Sequence, residues 1–336
     1  MEEAQQFLEQ FTGEKASVFY ALPQSGSARR NFVGTSGGID YIITSNHNVA
    51  ENECFLYFSG LFSELKLNTP KVYAVTANRT LYIQEHKGRR TLSEIIAEEG
   101  LTDRVKALVK QSLEHLCNMQ EQTRGKTDYS RTFEYERYDE LPVLNDLFYF
   151  KSFIADALEL PYRKAALIQE FKKIAALTES LGPKSIMLRD FQARNIMVND
   201  SDQVFFIDYQ SAMEGPRMYD VISFLYQAKA DFPEDFRREM VAYFAGFIEN
   251  EQERNPLYES FRPLQLIRFL QVLGAYGFRG LVQRKAHFMA SVDKGIENLT
   301  KFSADWEKMN NFPELKQLIE QLDTPEVQEK INDLRG

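Results

Sequence analysis

The sequence has 336 residues, of which 43% are hydrophobic and 26% are charged, and its net charge is −9. This length and balance support a sizeable core in two domains or in one large domain, and the negative charge argues against a nucleic-acid partner. Two cysteines, Cys54 and Cys117, are too few for a disulfide framework. The N-terminus has no signal-peptide pattern, and no apolar run reaches about 18 residues. We therefore expect a cytoplasmic protein without a membrane partner.

The first 85 residues indicate a β-rich region with two helices. Short apolar runs separated by polar turns are typical of strands. Asn48 and Glu51 form a capping-box pattern that predicts the start of the second helix. The predicted helices span residues 2–11 and 49–65, and the predicted strands span residues 17–22, 30–34, 40–44, 72–76 and 80–84.

From residue 91 onward the hydrophobic pattern is helical, except at one hairpin near residue 200. The change of pattern near residues 85–90 predicts an α+β protein with a small β-rich lobe at residues 1–87 and a large helical lobe at residues 88–336. The predicted helices of the second lobe span residues 92–99, 104–122, 144–158, 162–181, 219–230, 233–249, 263–280 and 284–302, with a polar tail helix that ends near residue 334.

The most informative stretch contains Asp190, Asn195 and Asp208, at spacings of five and thirteen residues. Two apolar runs, residues 196–198 and 204–207, lie between Asn195 and Asp208 on either side of a polar turn. This pattern predicts a β-hairpin. Because a hairpin brings its ends together, we expect the three polar side chains to converge on one point.

That group of side chains suits phosphoryl transfer, in which a carboxylate accepts a hydroxyl proton while an amide and a second carboxylate hold Mg²⁺ on a triphosphate. Magnesium prefers hard oxygen ligands and often takes only one or two protein carboxylates. Singly, Asp190 and Asp208 have a simpler interpretation as turn or strand-ending residues. Their joint spacing with Asn195 favours the catalytic interpretation.

The loop between the first two predicted strands is small and polar and leads into Arg29 and Arg30. Small residues such as Gly26 and Ser27 let backbone N–H groups approach phosphate oxygens, and arginine adds charge-assisted hydrogen bonds. An ordinary turn is the simpler interpretation. The position of the loop in the β-rich lobe, ahead of the hairpin motif, favours phosphate binding.

Asp220 follows Tyr219 at the start of a predicted helix. Its side chain would cap that helix, or its carboxylate would accept backbone N–H groups of the loop at residues 189–195 and fix it. The two roles are compatible.

The string Leu-Arg-Asp-Phe-Gln-Ala-Arg-Asn-Ile-Met-Val, then Phe-Ile-Asp-Tyr-Gln, Gly-Pro and Tyr-Asp, resembles the aminoglycoside phosphotransferase/choline kinase-like superfamily. The resemblance covers residues 17–288 and is most specific at residues 188–220. It implies a protein-kinase-like bilobal fold, with a nucleotide-binding N-terminal lobe and a helical C-terminal lobe for catalysis and substrate binding. It also implies ATP and Mg²⁺ as cofactors.

The resemblance implies roles for individual residues. Asp190 would be the catalytic base, Asn195 and Asp208 would hold Mg²⁺, and Asp220 would brace the catalytic loop.

In the N-terminal lobe, the resemblance implies that Gly26 and Ser27 cover the nucleotide phosphates. Glu85 and His86, at the lobe boundary, would offer backbone groups to adenine.

The sequence departs from the superfamily pattern at two places. Leu188 replaces a histidine that usually precedes the catalytic aspartate by two residues, and the third predicted strand lacks the usual phosphate-binding lysine. Arg29 or Arg30 would supply the missing positive charge. The acidic partner on the following helix is either Glu51 or Glu53, and the sequence leaves this choice open.

Three further strings look most like bacterial cell-wall sugar kinases: Ser-Gly-Ser-Ala-Arg-Arg-Asn-Phe, Ile-Asp-Tyr-Gln-Ser-Ala and Leu-Gln-Val-Leu-Gly-Ala-Tyr-Gly. Those enzymes phosphorylate the anomeric hydroxyl of N-acetylmuramate and N-acetylglucosamine in peptidoglycan recycling. If the acceptor is a sugar acid, Arg268, Arg279 or Arg284 would meet its carboxylate, although each is equally well explained as a solvated helix residue.

The sequence thus predicts an ATP- and Mg²⁺-dependent small-molecule kinase whose acceptor is a hydroxyl, most naturally that of an amino sugar. An aminoglycoside or choline-type kinase is one alternative, and it would need clustered acids such as Asp231, Glu234 and Asp235, which surface solvation explains more simply. A catalytically weak nucleotide-binding regulatory module is the other alternative. Leu188 and the missing lysine favour that module, and the intact hairpin motif argues against it.

Overall fold

The computed structural model describes residues 1–23 and 28–335, and the side chains of residues 286, 287 and 335 are left out of the description. The chain forms two compact units. The first, here called the sheet unit, comprises Met1–Glu136 and Leu188–Met213. The second, here called the helical unit, comprises Arg137–Met187 and the chain from Glu214 onward.

Twelve α-helices and ten strands are formed by the described residues. The helices are α1 Glu2–Thr12, α2 Val49–Glu64, α3 Leu92–Glu99, α4 Asp103–Gln122, α5 Glu140–Phe150, α6 Lys164–Glu179, α7 Met218–Leu225, α8 Glu234–Gly246, α9 Glu251–Tyr276, α10 Ala286–Asp305, α11 Pro313–Gln321 and α12 Pro325–Arg335. The strands are β1 Val18–Ala21, β2 Arg30–Ser36, β3 Ile39–Ser45, β4 Val72–Val75, β5 Leu81–Glu85, β6 Arg90–Thr91, β7 Lys184–Met187, β8 Ile196–Val198, β9 Val204–Phe206 and β10 Met213–Pro216.

An antiparallel five-stranded sheet with the order β1-β2-β3-β5-β4 dominates the sheet unit. Its strands bury Phe32, Ile43 and Ile83 against Leu8 of α1. Gly34 of β2 permits this packing, because a Cβ atom at that position would lie 2.3 Å from Leu8 Cδ2. The predicted strands of the first 85 residues are thereby confirmed as one sheet.

Helix α2 begins as the sequence predicts, but its capping box is only half formed. The side chain of Asn48 accepts a hydrogen bond from the backbone N–H of Glu51. The Glu51 carboxylate does not return to Asn48. It accepts instead from Asn46 Nδ2 at 2.9 Å and pairs with Arg29, because these tertiary partners compete with the local one.

The predicted hairpin is present in the sheet unit. Strands β8 and β9 pair antiparallel with Ile196 opposite Phe206, and β6 extends them to a three-stranded sheet. Asn199 Oδ1 accepts from the backbone N–H groups of Ser201 and Gln203 at 3.0 and 2.9 Å, which closes the turn. The hairpin therefore places residues 195 and 207 next to each other, as expected.

The helical unit differs from the sequence prediction at α9. The helix starts at Asn250, whose side chain caps Gln252, and it continues through Pro263 instead of starting there. A proline inside a helix costs one hydrogen bond, but this helix buries an apolar face that includes Leu264 and Ile267. Burial of that face offsets the local preference.

Helix α9 and the π-helical turn Gly277–Val282 after it lie close to α5 and to the π-helical turn Lys151–Asp156 through two glycines. A Cβ atom on Gly274 would lie 2.7 Å from the backbone nitrogen of Phe150, and one on Gly277 would lie 2.2 Å from the carbonyl oxygen of Phe153. The glycines therefore allow the backbones to touch.

The predicted α+β composition is confirmed, with a small antiparallel sheet near the N-terminus and a large helical part. The lobe boundary at residues 87 and 88 stays a prediction. The compact units are divided elsewhere, because the hairpin at residues 188–213 belongs with the N-terminal residues. Among the helices of the described ranges, none is both long and apolar enough to cross a lipid bilayer.

Candidate active site

The loop before the hairpin is held by Asn195. Its side-chain nitrogen donates to the carbonyl oxygen of Asp190 at 2.9 Å, and its own carbonyl accepts from the backbone N–H of Ile207 at 3.0 Å. These two bonds join residue 190 to residue 195 and residue 195 to the neighbour of Asp208. The two hydrogen bonds therefore hold together the segments that carry the three predicted motif residues, within the sheet unit.

Two residues that flank the motif adopt left-handed backbone conformations. Arg189 has φ 66° and Asp208 has φ 65°. The backbone N–H of Asp190 donates to the carbonyl of Leu188 at 2.7 Å, so Arg189 sits at the centre of a very tight turn. Its guanidinium pairs with Glu134 at 3.3 Å. Such strain in a non-glycine residue is typical of functional sites.

The Asp208 carboxylate lies in a cluster with three partners, here called the Arg29 cluster: Arg29, Glu51, Asp208 and Gln210. Arg29 Nη2 donates to Asp208 Oδ1 at 2.5 Å, and Arg29 Nη1 donates to Gln210 Oε1 at 3.0 Å. Gln210 Nε2 donates to the same Asp208 oxygen at 3.1 Å. Arg29 Nε lies 3.4 Å from Glu51 Oε1.

The Arg29 guanidinium is well shielded, with 14% of its side chain exposed. Burial alone would lower the pKa of Arg29, but the negative charges of Asp208 and Glu51 offset burial and raise it. Burial also raises the pKa of the neighbouring Tyr82 to about 12, so its hydroxyl stays neutral. The Nε–H of Arg29 is buried beside the Glu51 carboxylate.

Helix α2 is fastened to the end of the motif by three contacts. The Cys54 thiol donates to the carbonyl oxygen of Gln210 at 3.0 Å, Ser59 Oγ shares a hydrogen bond with the Tyr209 hydroxyl at 2.8 Å, and the rings of Phe55 and Tyr209 stack at 4.9 Å. Burial raises the pKa of the Cys54 thiol to about 11, so this cysteine is a neutral donor and not a nucleophile. The contacts fix Glu51 relative to Asp208.

The structure gives different contacts to the residues between which the sequence left a choice. Arg29 contacts the motif, whereas the Arg30 guanidinium lies over the ring of Phe32 at 5.5 Å. Glu51 pairs with Arg29, whereas Glu53 pairs with Arg79 at 3.2 Å on the surface, where 44% of the Glu53 side chain is exposed. Nucleotide binding by Arg29 or Arg30, and the role of either glutamate as the helix acid, stay predictions.

The remaining predicted nucleotide contacts are only partly described. Gly26 and Ser27 lie outside the described residues. Glu85 ends β5, and its carboxylate pairs with Lys87 at 2.7 Å. His86 follows it, and burial lowers the pKa of His86. Backbone contacts from this pair to adenine stay a prediction.

The other predicted residues lie in the helical unit. Asp220 is fully buried in the first turn of α7, and its role as a brace stays a prediction. Arg268 donates to Gln271 at 2.7 Å, and the Arg279 guanidinium lies over the ring of Phe288 at 5.0 Å. Arg284 is exposed, with φ 53°.

The donor set fits a magnesium ion by ligand chemistry. Asp208 offers a carboxylate, and because the nitrogen of the Asn195 amide is used by Asp190, the amide oxygen is the atom left for a ligand. Within residues 1–23 and 28–335, no three His, Cys, Asp or Glu side chains form a cluster that could hold a metal. An ion bound here would therefore take few protein ligands, as Mg²⁺ commonly does on a nucleotide.

Sequence reasoning missed Gln210, Glu134 and Asn46. Gln210 belongs to the Ile-Asp-Tyr-Gln string, so its position two residues after Asp208 was a usable signal. Glu134 gave no local signal, because tertiary folding brings its partner Arg189 to it. Asn46 gave none either, because its contact with Glu51 depends on the conformation of the turn between them.

The family pattern described as APH, phosphotransferase enzyme family, matches residues 21–264. The chain belongs to this family. This is a family of phosphotransferases, which agrees with the enzyme class that the sequence predicted. The match covers all the described motif residues.

One curated relative is the N-acetylmuramate/N-acetylglucosamine kinase of Neisseria meningitidis serogroup B, with 25% identity over 219 residues. The aligned region is 62% of this chain and 63% of the relative, so the chain matches less than two thirds of that protein.

Solved structures of related folds include choline kinase LicA from Streptococcus pneumoniae, with a TM-score of 0.60, 13% identity, and coverage of 90% of this chain and 100% of that chain. A thermostable mutant of aminoglycoside phosphotransferase APH(4)-Ia has a TM-score of 0.59, 17% identity, and coverage of 87% and 98%. The ethanolamine kinase of Plasmodium vivax has a TM-score of 0.55, 14% identity, and coverage of 85% and 82%. These neighbours confirm the predicted protein-kinase-like fold.

Proposed function

We propose that the protein is an ATP- and Mg²⁺-dependent kinase of the cytoplasm that transfers the γ-phosphoryl group to a hydroxyl of an amino sugar of the N-acetylmuramate or N-acetylglucosamine type, in cell-wall sugar recycling. The observation that carries the proposal is that hydrogen bonds connect Asn195 to Asp190 and to Ile207, the residue before Asp208, at the two ends of one hairpin. This group contains the base and the metal ligands that phosphoryl transfer needs.

In the proposed reaction, the acceptor oxygen attacks the γ-phosphorus while the bond from that phosphorus to the β–γ bridging oxygen breaks. The Asp190 carboxylate orients the hydroxyl and takes its proton, and ADP leaves. Asn195 Oδ1 and Asp208 would hold Mg²⁺, which supplies neutralising charge on the phosphates when it is bound. Most of the work of these residues is positioning and electrostatic stabilisation.

The proposed nucleotide is ATP. Two solved structures of APH(4)-Ia mutants were obtained as ternary complexes with hygromycin B, one with ADP and the other with AMP-PNP. The proposed acceptor rests on the relative from Neisseria meningitidis, which is a kinase of the two amino sugars named above.

The structure weakens the case for a polycationic acceptor such as an aminoglycoside or choline. Two of the three acids in the run that would attract it are already paired within the helical unit. Asp231 lies 3.2 Å from Lys294, and Glu234 lies 3.6 Å from Arg237 and 3.4 Å from Arg238. These acids therefore have cationic partners of their own.

The test is an ADP-release assay with ATP, with and without Mg²⁺, on a panel of N-acetylmuramate, N-acetylglucosamine, choline and aminoglycosides. We expect Mg²⁺-dependent turnover on an amino sugar and its loss in Asp190→Asn. Turnover only on choline or an aminoglycoside would refute the proposed acceptor. Full turnover in Asp190→Asn would refute the proposed base, and nucleotide binding without turnover on any acceptor would favour a regulatory module.

A further inference from the structure

The Arg29 cluster places one guanidinium between two carboxylates, those of Asp208 and Glu51. Arg29 Nη2 lies 2.5 Å from Asp208, the proposed metal ligand, and Nε lies 3.4 Å from Glu51 on α2. The side chains of Arg29 and Glu51 are 14% and 17% exposed, and that of Asp208 is 31% exposed. Asp208 is thus the more exposed carboxylate of the cluster, and Glu51 is the more enclosed one.

Arginine and a divalent cation compete for Asp208. Its oxygen Oδ1 already accepts from both Arg29 and Gln210. A metal ion on that oxygen would have to displace the guanidinium, and an ion on the second oxygen would lie close to a like charge that is shielded from water. Either arrangement makes binding of the metal alone unfavourable while Arg29 stays on Asp208.

A nucleotide phosphate offers Arg29 a better partner. A guanidinium has five donors in a planar fork that suits phosphate oxygens, so Nη1 and Nη2 of Arg29 can turn to a phosphate while Nε stays beside Glu51. Arg29 directly precedes β2, and β3 contains no lysine that would compete for the phosphates. Glu51 would stay beside Arg29 during the exchange, because the contacts of Cys54 and Phe55 hold α2 in place.

We propose that Arg29 is a latch on the metal ligand Asp208. With the latch on Asp208, a divalent ion binds weakly. When nucleotide phosphates bind, Arg29 transfers to them, pivots on Glu51 and releases Asp208 to the metal. Metal and nucleotide therefore bind cooperatively, and Arg29 takes the place of the missing strand lysine. This inference rests on the proposed function, since it needs a nucleotide and a metal at this site.

The test measures binding, not turnover. Free Mn²⁺ is counted by electron paramagnetic resonance with protein alone, and AMP-PNP binding is measured by calorimetry. Arg29→Gln removes the latch, so we expect Mn²⁺ alone to bind about 10-fold more tightly and AMP-PNP with Mn²⁺ to bind about 10-fold more weakly. A variant that lost a purely structural arginine would weaken both.

Glu51→Gln gives the opposite expectation for the metal. Without Glu51, Arg29 has Asp208 as its sole carboxylate partner in the cluster, so the latch holds more firmly and Mn²⁺ alone binds more weakly. Opposite effects of Arg29→Gln and Glu51→Gln on Mn²⁺ support the latch. Arg79→Gln, an exposed arginine of the same unit, is the matched control and should change neither affinity. Thermal unfolding of each variant checks that it is folded.

Asp208→Asn separates failure of the latch from failure of the proposed function. If Asp208→Asn abolishes Mn²⁺ binding while Arg29→Gln leaves it unchanged or weakens it, the latch is refuted and the metal site stands. If Asp208→Asn binds Mn²⁺ and AMP-PNP as the wild type does, the metal site itself is refuted, and the latch falls with it.

Discussion

The two units each contain a cluster of carboxylates, and the two clusters are built differently. In the helical unit, both oxygens of Glu170 accept from backbone N–H groups, those of Glu314 and Leu315, at 2.9 and 2.8 Å. Glu314 accepts from the backbone N–H of Arg163 at 2.5 Å and from its Nε at 2.8 Å. In the Arg29 cluster of the sheet unit, the described partners of the Asp208 carboxylate are the side chains of Arg29 and Gln210.

The difference predicts a structural role for the helical cluster and a functional role for the Arg29 cluster. Backbone donors are fixed by the fold, so the arrangement of Glu170 is fixed, and its carboxylate satisfies two of the first N–H groups of α11. Side-chain donors, such as those of Arg29 and Gln210, can change partners by rotamer changes alone. We therefore expect changes in the sheet unit to alter activity and changes in the helical cluster to alter stability.

The largest expected effect is that of Asp190→Asn. Loss of a general base typically lowers the rate about 10²–10⁴-fold, and we expect that loss in kcat with almost no change in the thermal midpoint. Steady-state kinetics and thermal unfolding on the same sample check both. Asp200→Asn, in the exposed hairpin turn, is the matched control. A large loss of stability in Asp190→Asn would contradict the division of roles between the clusters.

Glu170→Ala should show the reverse profile. It leaves two backbone N–H groups of α11 without their acceptor at a buried position, which should lower the free energy of unfolding by about 2 kcal/mol. Urea unfolding gives the change, and kcat at low temperature should be close to that of the wild type. Glu170→Gln keeps one acceptor oxygen and should recover part of the loss. Equal stability of the alanine variant and the wild type would show that α11 does not need this cap.

The pH dependence of stability should include two windows, one from a carboxylate of the helical unit and one from a histidine of the sheet unit. Hydrogen bonding from the backbone of Arg163 lowers the pKa of Glu314. The stabilising contribution of Glu314 is therefore present at pH values above the ordinary glutamate pKa, and it is lost as the pH falls through the lowered pKa. Burial lowers the pKa of His115 in the sheet unit. The unfolded ring takes up a proton before the folded one does, so stability falls once the pH drops below about 6.5.

Urea midpoints between pH 4 and pH 8 check these two windows. We expect His115→Gln to reduce the loss of stability in the higher pH window. Glu314→Gln should reduce the loss of stability in the lower pH window. The contact of Asn68 Nδ2 with His115 Nε2 at 3.3 Å agrees with a neutral ring that accepts. If His115→Gln instead abolished the loss of stability in the lower pH window, the assignment of that window to Glu314 would be contradicted.

Glu53→Gln should have the smallest effect. Its ion pair with Arg79 is exposed, with 44% and 47% of the two side chains accessible. Such pairs contribute about 0–1 kcal/mol, and we expect a change in the free energy of unfolding below about 0.5 kcal/mol, with unchanged affinity for AMP-PNP. Chemical unfolding and calorimetry give these values. A nucleotide effect as large as that of Glu51→Gln would reverse the assignment of the helix acid.

Much of the site was predictable from the sequence because its signals are local. The apolar runs on either side of the turn at Asn199 predicted the hairpin. The hairpin in turn predicted that the segments with Asp190, Asn195 and Asp208 come together. Asn48 predicted the start of α2. Helix α9 was predicted less well, because proline gives a local stop signal at residue 263 that burial of the helix overrides.

The sequence by itself determined the elements and the chemistry of the motif, since hairpins, caps and hydrophobic periods depend on residues a few positions apart. Only the tertiary structure decided which arginine and which glutamate join the motif. Arg29 is 179 residues from Asp208 and 181 from Gln210. Arg29 and Arg30 are equivalent as local signals, as are Glu51 and Glu53. The side chains of neighbouring residues point in different directions, and only the packing of the strand and the helix determines which side chain reaches the motif.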